Sequence, residues 1–157
     1  LEVEKGGDIE GIIHLNSTLH HPLLELEHFS PPITEISPQI SRLTHLKLLN
    51  LWKNRIRALP DEFSALQSLQ TCLLHFNEFT RIPPQLLKLT NLERLTLRGN
   101  LVAEIPHEIS QLMRLTFLSV RQNRISALPK ALFTLTNLQS LLLARNDINF
   151  VSNVARL

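Results

Sequence analysis

Asparagine recurs at Asn54, Asn77, Asn100, Asn123 and Asn146, each 23 residues after the one before. The same frame returns around each, as in Leu46-x-x-Leu49-x-Leu51-x-x-Asn54-x-Ile56-x-x-Leu59-Pro60. A fixed period with fixed chemistry at every phase specifies an array of one small unit rather than a closed globule. It bounds function as well as fold, because such arrays usually bind and seldom catalyse.

With Leu46 as position one, the units run 46–68, 69–91, 92–114 and 115–137, followed by a partial unit at 138–157. Positions four and six hold Leu49/Leu51, Cys72/Leu74, Leu95/Leu97, Leu118/Val120 and Leu141/Leu143. Alternation of this kind is a strand of period two with its apolar side turned inward. Stacked units then pair these short strands in parallel, about 4.8 Å apart. No unit can bury its apolar face alone, so several must stack before any is stable. The asparagine follows where the chain turns, and its amide can satisfy backbone groups left open at the bend. Pro60, Pro83, Pro106 and Pro129 start the return arm, a residue tolerated in the first turn of a helix. Apolar pairs such as Phe63/Leu66 and Ile109/Leu112 suit a short helix or 3₁₀ turn there.

These residues resemble the leucine-rich repeat family, in its 23-residue subclass with L-P-x-x-hydrophobic-x-x-L, as in Ras-suppressor-like and scribble-like intracellular proteins. The resemblance covers 46–148. It implies an α/β, right-handed, horseshoe-like solenoid with a parallel concave sheet and short helices or 3₁₀ turns on the convex side. It also implies a monomeric adaptor, scaffold or recognition arm in signalling, no enzyme activity and no cofactor. The expected setting is intracellular, in the cell that makes the protein or in one that receives it as a secreted effector. Residues 23–45 form a degenerate unit: Ile33, Ile36, Ile40 and Leu43 fit, but Pro31 stands where asparagine belongs and His28 where leucine belongs. At the far end Ser152 replaces the proline, so 149–157 is either the start of a cap or the point where the array is cut.

Residues 1–22 carry no repeat. Gly6-Gly7-Asp8 ahead of Ile9, Ile12 and Ile13 reads as an N-cap and the apolar face of a helix that ends by Pro22, the alternative being a frayed linker. Such a helix would shield the end of the array from water. Because the sequence begins at Leu1, it is expected to be a processed or partial chain, and a lost targeting signal stays open. No apolar run approaches 18 residues. Residues 1–35 carry a net −6 and residues 36–157 a net +8, an asymmetry that points to a charged partner.

In a stack of this shape positions two, three, five, seven and eight face outward from the concave side. There Lys47, Lys53, Arg94, Arg98, Arg121 and Arg145 stand against Glu93 alone, a face of +5 on a chain of +2. Position seven makes one file, Trp52, His75, Arg98 and Arg121, with Leu73, Phe76 and Phe117 beside it. Trp and Arg are the types enriched at binding hot spots. The expected partner is a protein with an acidic or phosphorylated surface, bound through Trp52, Leu73, His75, Phe76, Arg94, Arg98, Phe117, Arg121 and Arg145. In the plainer reading the arginines form a solvated face and Trp52 covers a neighbour. Two rivals are an anionic polymer or phosphoinositide surface, and substrate recognition for a larger enzyme. Aromatic residues at one end and arginines at the other argue against a nucleic-acid stacking groove.

Other constellations are weak. His20, His21 and His28 near Glu25 and Glu27 lack any known metal-ligand spacing. Cys72 takes an inward strand position as a small hydrophobe. Asn16-Ser17-Thr18 is a glycosylation acceptor triplet, of a kind that arises by chance.

Overall fold

The computed structural model describes residues 9–149 other than His28. Helix α1 (Ile9–Leu19) is followed by six three-residue strands. These are β1 (Leu23–Glu25), β2 (Leu48–Asn50), β3 (Thr71–Leu73), β4 (Arg94–Thr96), β5 (Phe117–Ser119) and β6 (Ser140–Leu142). They pair in parallel, in sequence order, as one sheet. The 23-residue period is the register: Leu49 faces Cys72, Cys72 faces Leu95, Leu95 faces Leu118, and Leu118 faces Leu141. The first four of these five side chains are wholly buried, as is Leu24 on β1. This is the α/β leucine-rich repeat solenoid expected of the sequence.

Each return arm holds a short 3₁₀ segment: Pro38–Arg42, Asp61–Ala65, Leu86–Lys88, His107–Gln111 and Lys130–Thr134. Pro60, Pro106 and Pro129 stand one residue ahead of their segments, in extended backbone, rather than inside the first turn. Their carbonyls accept the first bond of the turn, from Phe63, Ile109 and Leu132 at 3.0–3.1 Å. A residue without an N–H loses nothing at that place. Pro38, in contrast, is the first residue of its segment, with Ser37 as the cap.

Each asparagine binds at least three backbone groups, across two units. Asn100 Nδ2 donates to Leu97 O at 2.9 Å and to Leu74 O of the preceding unit at 3.0 Å, while its Oδ1 accepts Phe79 N at 3.0 Å. Asn77 repeats the pattern on Leu74, Leu51 and Ile56, and Asn123 on Val120, Leu97 and Val102. Asn54 and Asn146 do the same at the ends, on Leu26 and Ile33 and on Val120 and Ile125. Buried polar groups must find partners, and this column supplies them where the strand ladder has ended.

The first unit differs from its expected phase. Leu24 pairs with Leu49, a separation of 25 residues, yet Ile33 N bonds Asn54 as Ile56 N bonds Asn77. Two extra residues are therefore taken up between Leu26 and Ile33. Leu24 and Leu26, both buried, fill the strand positions that a strict 23-residue phase assigns to other residues. Their unit has no ladder asparagine, and Asn54 reaches back to Leu26 O instead.

Helix α1 buries Ile12, Ile13 and Asn16 and packs against the Pro38–Arg42 turn. His20, in left-handed backbone at φ 52°, ends it. Asn16 Nδ2 donates to Leu23 O at 3.2 Å, and its Oδ1 lies 3.1 Å from His45 Nε2. The amide of the acceptor triplet is thus fully buried and holds the helix to β1. The Gly6-Gly7-Asp8 cap, Val151 and Ser152 lie outside the described residues. Among the described residues no helix is long and apolar enough to cross a membrane.

Candidate protein-recognition face

Side chains flanking each buried strand centre emerge on one side of the sheet. One file is Leu48, Thr71, Arg94, Phe117 and Ser140, and the next is Asn50, Leu73, Thr96, Ser119 and Leu142. The ladder runs on beyond the strands. Lys53 N bonds His75 O, Phe76 N bonds Arg98 O, and Gly99 N bonds Arg121 O, at 2.8–3.2 Å. These bonds hold Trp52, His75, Arg98 and Arg121 in register as neighbours. The residue after each is in left-handed backbone, Lys53, Phe76, Gly99 and Gln122, as is Arg145 at the same phase of the last unit, with φ between 54° and 68°. For a side-chain-bearing residue that conformation costs of order 1–2 kcal/mol, which the ladder bond and the asparagine behind it offset.

Trp52 is half-buried and stacks on His75, ring centroids 5.4 Å apart at 25°. Phe76 meets His75 edge-on at 6.1 Å, and Lys53 Nζ lies 4.7 Å over the indole. Phe76 rests on the backbone of the next unit. A Cβ on Gly99 would come within 2.5 Å of the Phe76 ring, so the glycine is what lets the ring lie there. In the sequence Gly99 shows only as a lone glycine one unit beyond a phenylalanine at the same phase.

Arginines and aromatics are not segregated as the order of residues suggests. Arg94 Cζ sits 4.3 Å from the Phe117 ring centroid and Arg98 Cζ 5.4 Å from that of Phe76. A guanidinium on a long stem spans the strand spacing and settles on the neighbouring ring. The segregation argument against nucleic acid therefore falls. A different one replaces it: these rings already carry guanidinium or glycine backbone against their faces, so they are not open platforms for bases.

Six of the nine expected contact residues converge. Leu73, His75, Arg94, Arg98, Phe117 and Arg121 line one depression of ≈ 260 Å³, together with Thr96, Ser119 and Leu142. Trp52 and Phe76 flank it, and Arg145 stands apart, exposed, beside the last strand. No ion pair joins Arg94, Arg98 or Arg121 to a carboxylate among the described residues. Arg98 Nε donates to Gln122 Oε1 at 2.7 Å, which fixes its direction. Burial holds the His75 imidazole below its usual pKa, Arg98 lowers it further, and Glu27 opposes both. Glu27, which accepts from Asn50 Nδ2 at 2.6 Å, and Glu25 on β1 make the N-terminal end of this face acidic. The face is graded, from acid at β1 to base at β4 and β5.

The weaker constellations find structural roles. Burial pushes the Cys72 thiol well above its usual pKa, which keeps it an unreactive packing group. His21 Nδ1 lies 2.9 Å from Leu23 O, and His20 packs on His45 at 5.1 Å. Among the described residues no group of three or more His, Cys, Asp or Glu side chains is placed to hold a metal ion.

A family profile described as leucine rich repeat matches residues 68–125. Internalin C2 of Listeria monocytogenes is similar in structure, with 32% identity over 78% of this chain and a TM-score of 0.67. So is a leucine-rich repeat protein of Leptospira interrogans, with 30% identity over 80% of this chain and a TM-score of 0.63. The chain spans 53% and 38% of the lengths of those two proteins. No curated protein matches it. With its 23-residue register, asparagine column and parallel sheet, this chain carries leucine-rich repeats and has the fold of leucine-rich repeat proteins, which typically serves as a binding module.

Proposed function

We propose that the chain is a protein-recognition module that binds an acidic protein surface along its concave face, from β2 to β5, inside a cell and as a monomer. One observation carries this reading: Arg94, Arg98 and Arg121, without carboxylate partners among the described residues, adjoin the Trp52–His75–Phe76 cluster on contiguous strands. Rigid aromatic surface supplies anchoring area, and guanidinium groups supply forked contacts to carboxylate or phosphate. The ladder holds both in place before a partner arrives, which reduces the ordering cost of association.

The test is capture followed by mass spectrometry with three forms of the chain: wild type, Trp52→Ala/Arg98→Ala, and Glu62→Ala/Glu108→Ala on the exposed convex side. Wild type and convex variant should retain the same acidic proteins, and the concave variant should lose them. With a purified partner, Trp52→Ala should cost about 2 kcal/mol, chiefly through faster dissociation. Arg121→Glu should slow association and flatten its salt dependence. Loss with the convex variant and retention with the concave one overturns the reading. A steep salt slope that falls by about one per arginine removed identifies nucleic acid instead.

A further inference from the structure

The depression among β3, β4, β5 and β6 is too small for a cofactor-sized ligand, whose pockets run to roughly 300–1,000 Å³. It is the size of one side chain. Its walls are unlike the rest of the face: Leu73, Phe117 and Leu142 are apolar, while Arg94, Arg98, Arg121 and His75 bring charge to it. Two of these groups have a shielded atom that forms no hydrogen bond among the described residues, Arg121 Nε and His75 Nδ1. Arg98 is held by Gln122 through Nε alone, and Arg94 by the Phe117 ring, so their terminal nitrogens remain to meet an acceptor. A single carboxylate would leave two of three guanidinium charges unmatched. A phosphomonoester brings close to two negative charges and three acceptor oxygens, and arginine binds it in a forked geometry. The apolar wall adds a preference for an aryl group between phosphate and backbone over a short polar arm.

We propose that this depression seats one phosphorylated tyrosine side chain of the protein partner, its phosphate among Arg94, Arg98, Arg121 and His75 and its ring against Leu73, Phe117 and Leu142. The proposal rests on the concave-face reading above and narrows it to one chemical group.

Calorimetric titration of the whole chain with N-acetyl-phosphotyrosine amide tests it, beside N-acetyl-phosphoserine amide, N-acetyl-tyrosine amide and inorganic phosphate. Phosphotyrosine amide should bind one to one, at least tenfold more tightly than phosphoserine amide or phosphate, and tyrosine amide should not bind. Arg121→Gln and Arg94→Gln, each with unchanged melting temperature, should each weaken it tenfold or more. The His75 imidazole, followed by NMR, should titrate at higher pH once the dianion is bound. Equal binding of inorganic phosphate, or indifference to both arginine variants, overturns the seat. So does binding to vesicles containing phosphatidylinositol phosphate without binding to phosphotyrosine amide. If the probe fails while Trp52→Ala/Arg98→Ala still loses the captured proteins, the seat falls and the concave-face reading stands. If that variant also keeps them, both fall.

Discussion

At the scale of single residues, the asparagine column does two jobs with one side chain. Asn100 closes its own turn through Leu97 O and ties it to the preceding unit through Leu74 O and Phe79 N. Leucine at that place would fit the apolar surroundings by size but leave Phe79 N without a partner, at roughly 1–3 kcal/mol before relaxation, and leave Leu97 O and Leu74 O with only the amides of Asn123 and Asn77. Asn100→Leu should therefore lower the melting temperature by roughly 2–12 °C, taking 2–4 °C per kcal/mol for a chain of this length. Its concave-face affinity, measured well below the melt, should be unchanged. A melting temperature equal to the parent's would show that the column is not structural. Gly99 matters for a different reason, since left-handed backbone and contact with Phe76 coincide at one residue.

At the scale of elements, α1 is held by Ile9, Ile12 and Ile13 against the core, by Ser37 Oγ donating to Glu10 Oε1, and by Asn16 shared between Leu23 O and His45. Desolvation holds the His45 imidazole below its usual pKa, with His20 and His21 adding repulsion against a backbone bond that opposes them. His75 is depressed as well. In both cases the unfolded chain takes up a proton more readily than the folded one. Stability is thus fully present above an unfolded pKa of about 6.5 and declines as pH falls through the folded values. Thermal melts by circular dichroism should move down between pH 7.5 and pH 5. His45→Gln should flatten that dependence and ease protection of α1 least at low pH. A pH-independent melt, or an unaltered slope in His45→Gln, would contradict this account.

For the whole molecule, neighbouring units are the only partners a unit has, so stability should be graded along the array. Leu49, Cys72, Leu95 and Leu118 are wholly buried, whereas Leu138, Leu141, Leu143 and Ile148 are half-buried. Hydrogen exchange followed by mass spectrometry should find amides of 69–120 the slowest, with those of β6 exchanging many times faster. Uniform protection from β2 to β6 would mean that the array melts as one body, against nearest-neighbour stability. The same open-ended geometry makes the binding face additive. Each strand brings two flanking side chains and a position-seven residue, so a charge gradient in sequence becomes a gradient in space, from Glu25 and Glu27 to Arg98 and Arg121.

The period alone determined the architecture. Parallel pairing at a constant offset converts equal spacing in sequence into alignment in space, so Leu49 to Leu141, the asparagine column and the Trp52–Arg121 file were legible without coordinates. Where the period lapses, legibility lapses with it. The strand of the first unit lies two residues off phase because a turn can absorb residues between Leu26 and Ile33 that no repeat template marks. What the concave side chains do to one another also needed the tertiary structure. An arginine has several rotatable bonds and can reach any of several neighbours. That Arg94 covers Phe117, that Arg98 lies between Phe76 and Gln122, and that six residues from β3, β4 and β5 close on one small depression depends on which neighbour offers a ring or an acceptor across the strand spacing. Sequence spacing sets who is adjacent, and side-chain packing decides who touches.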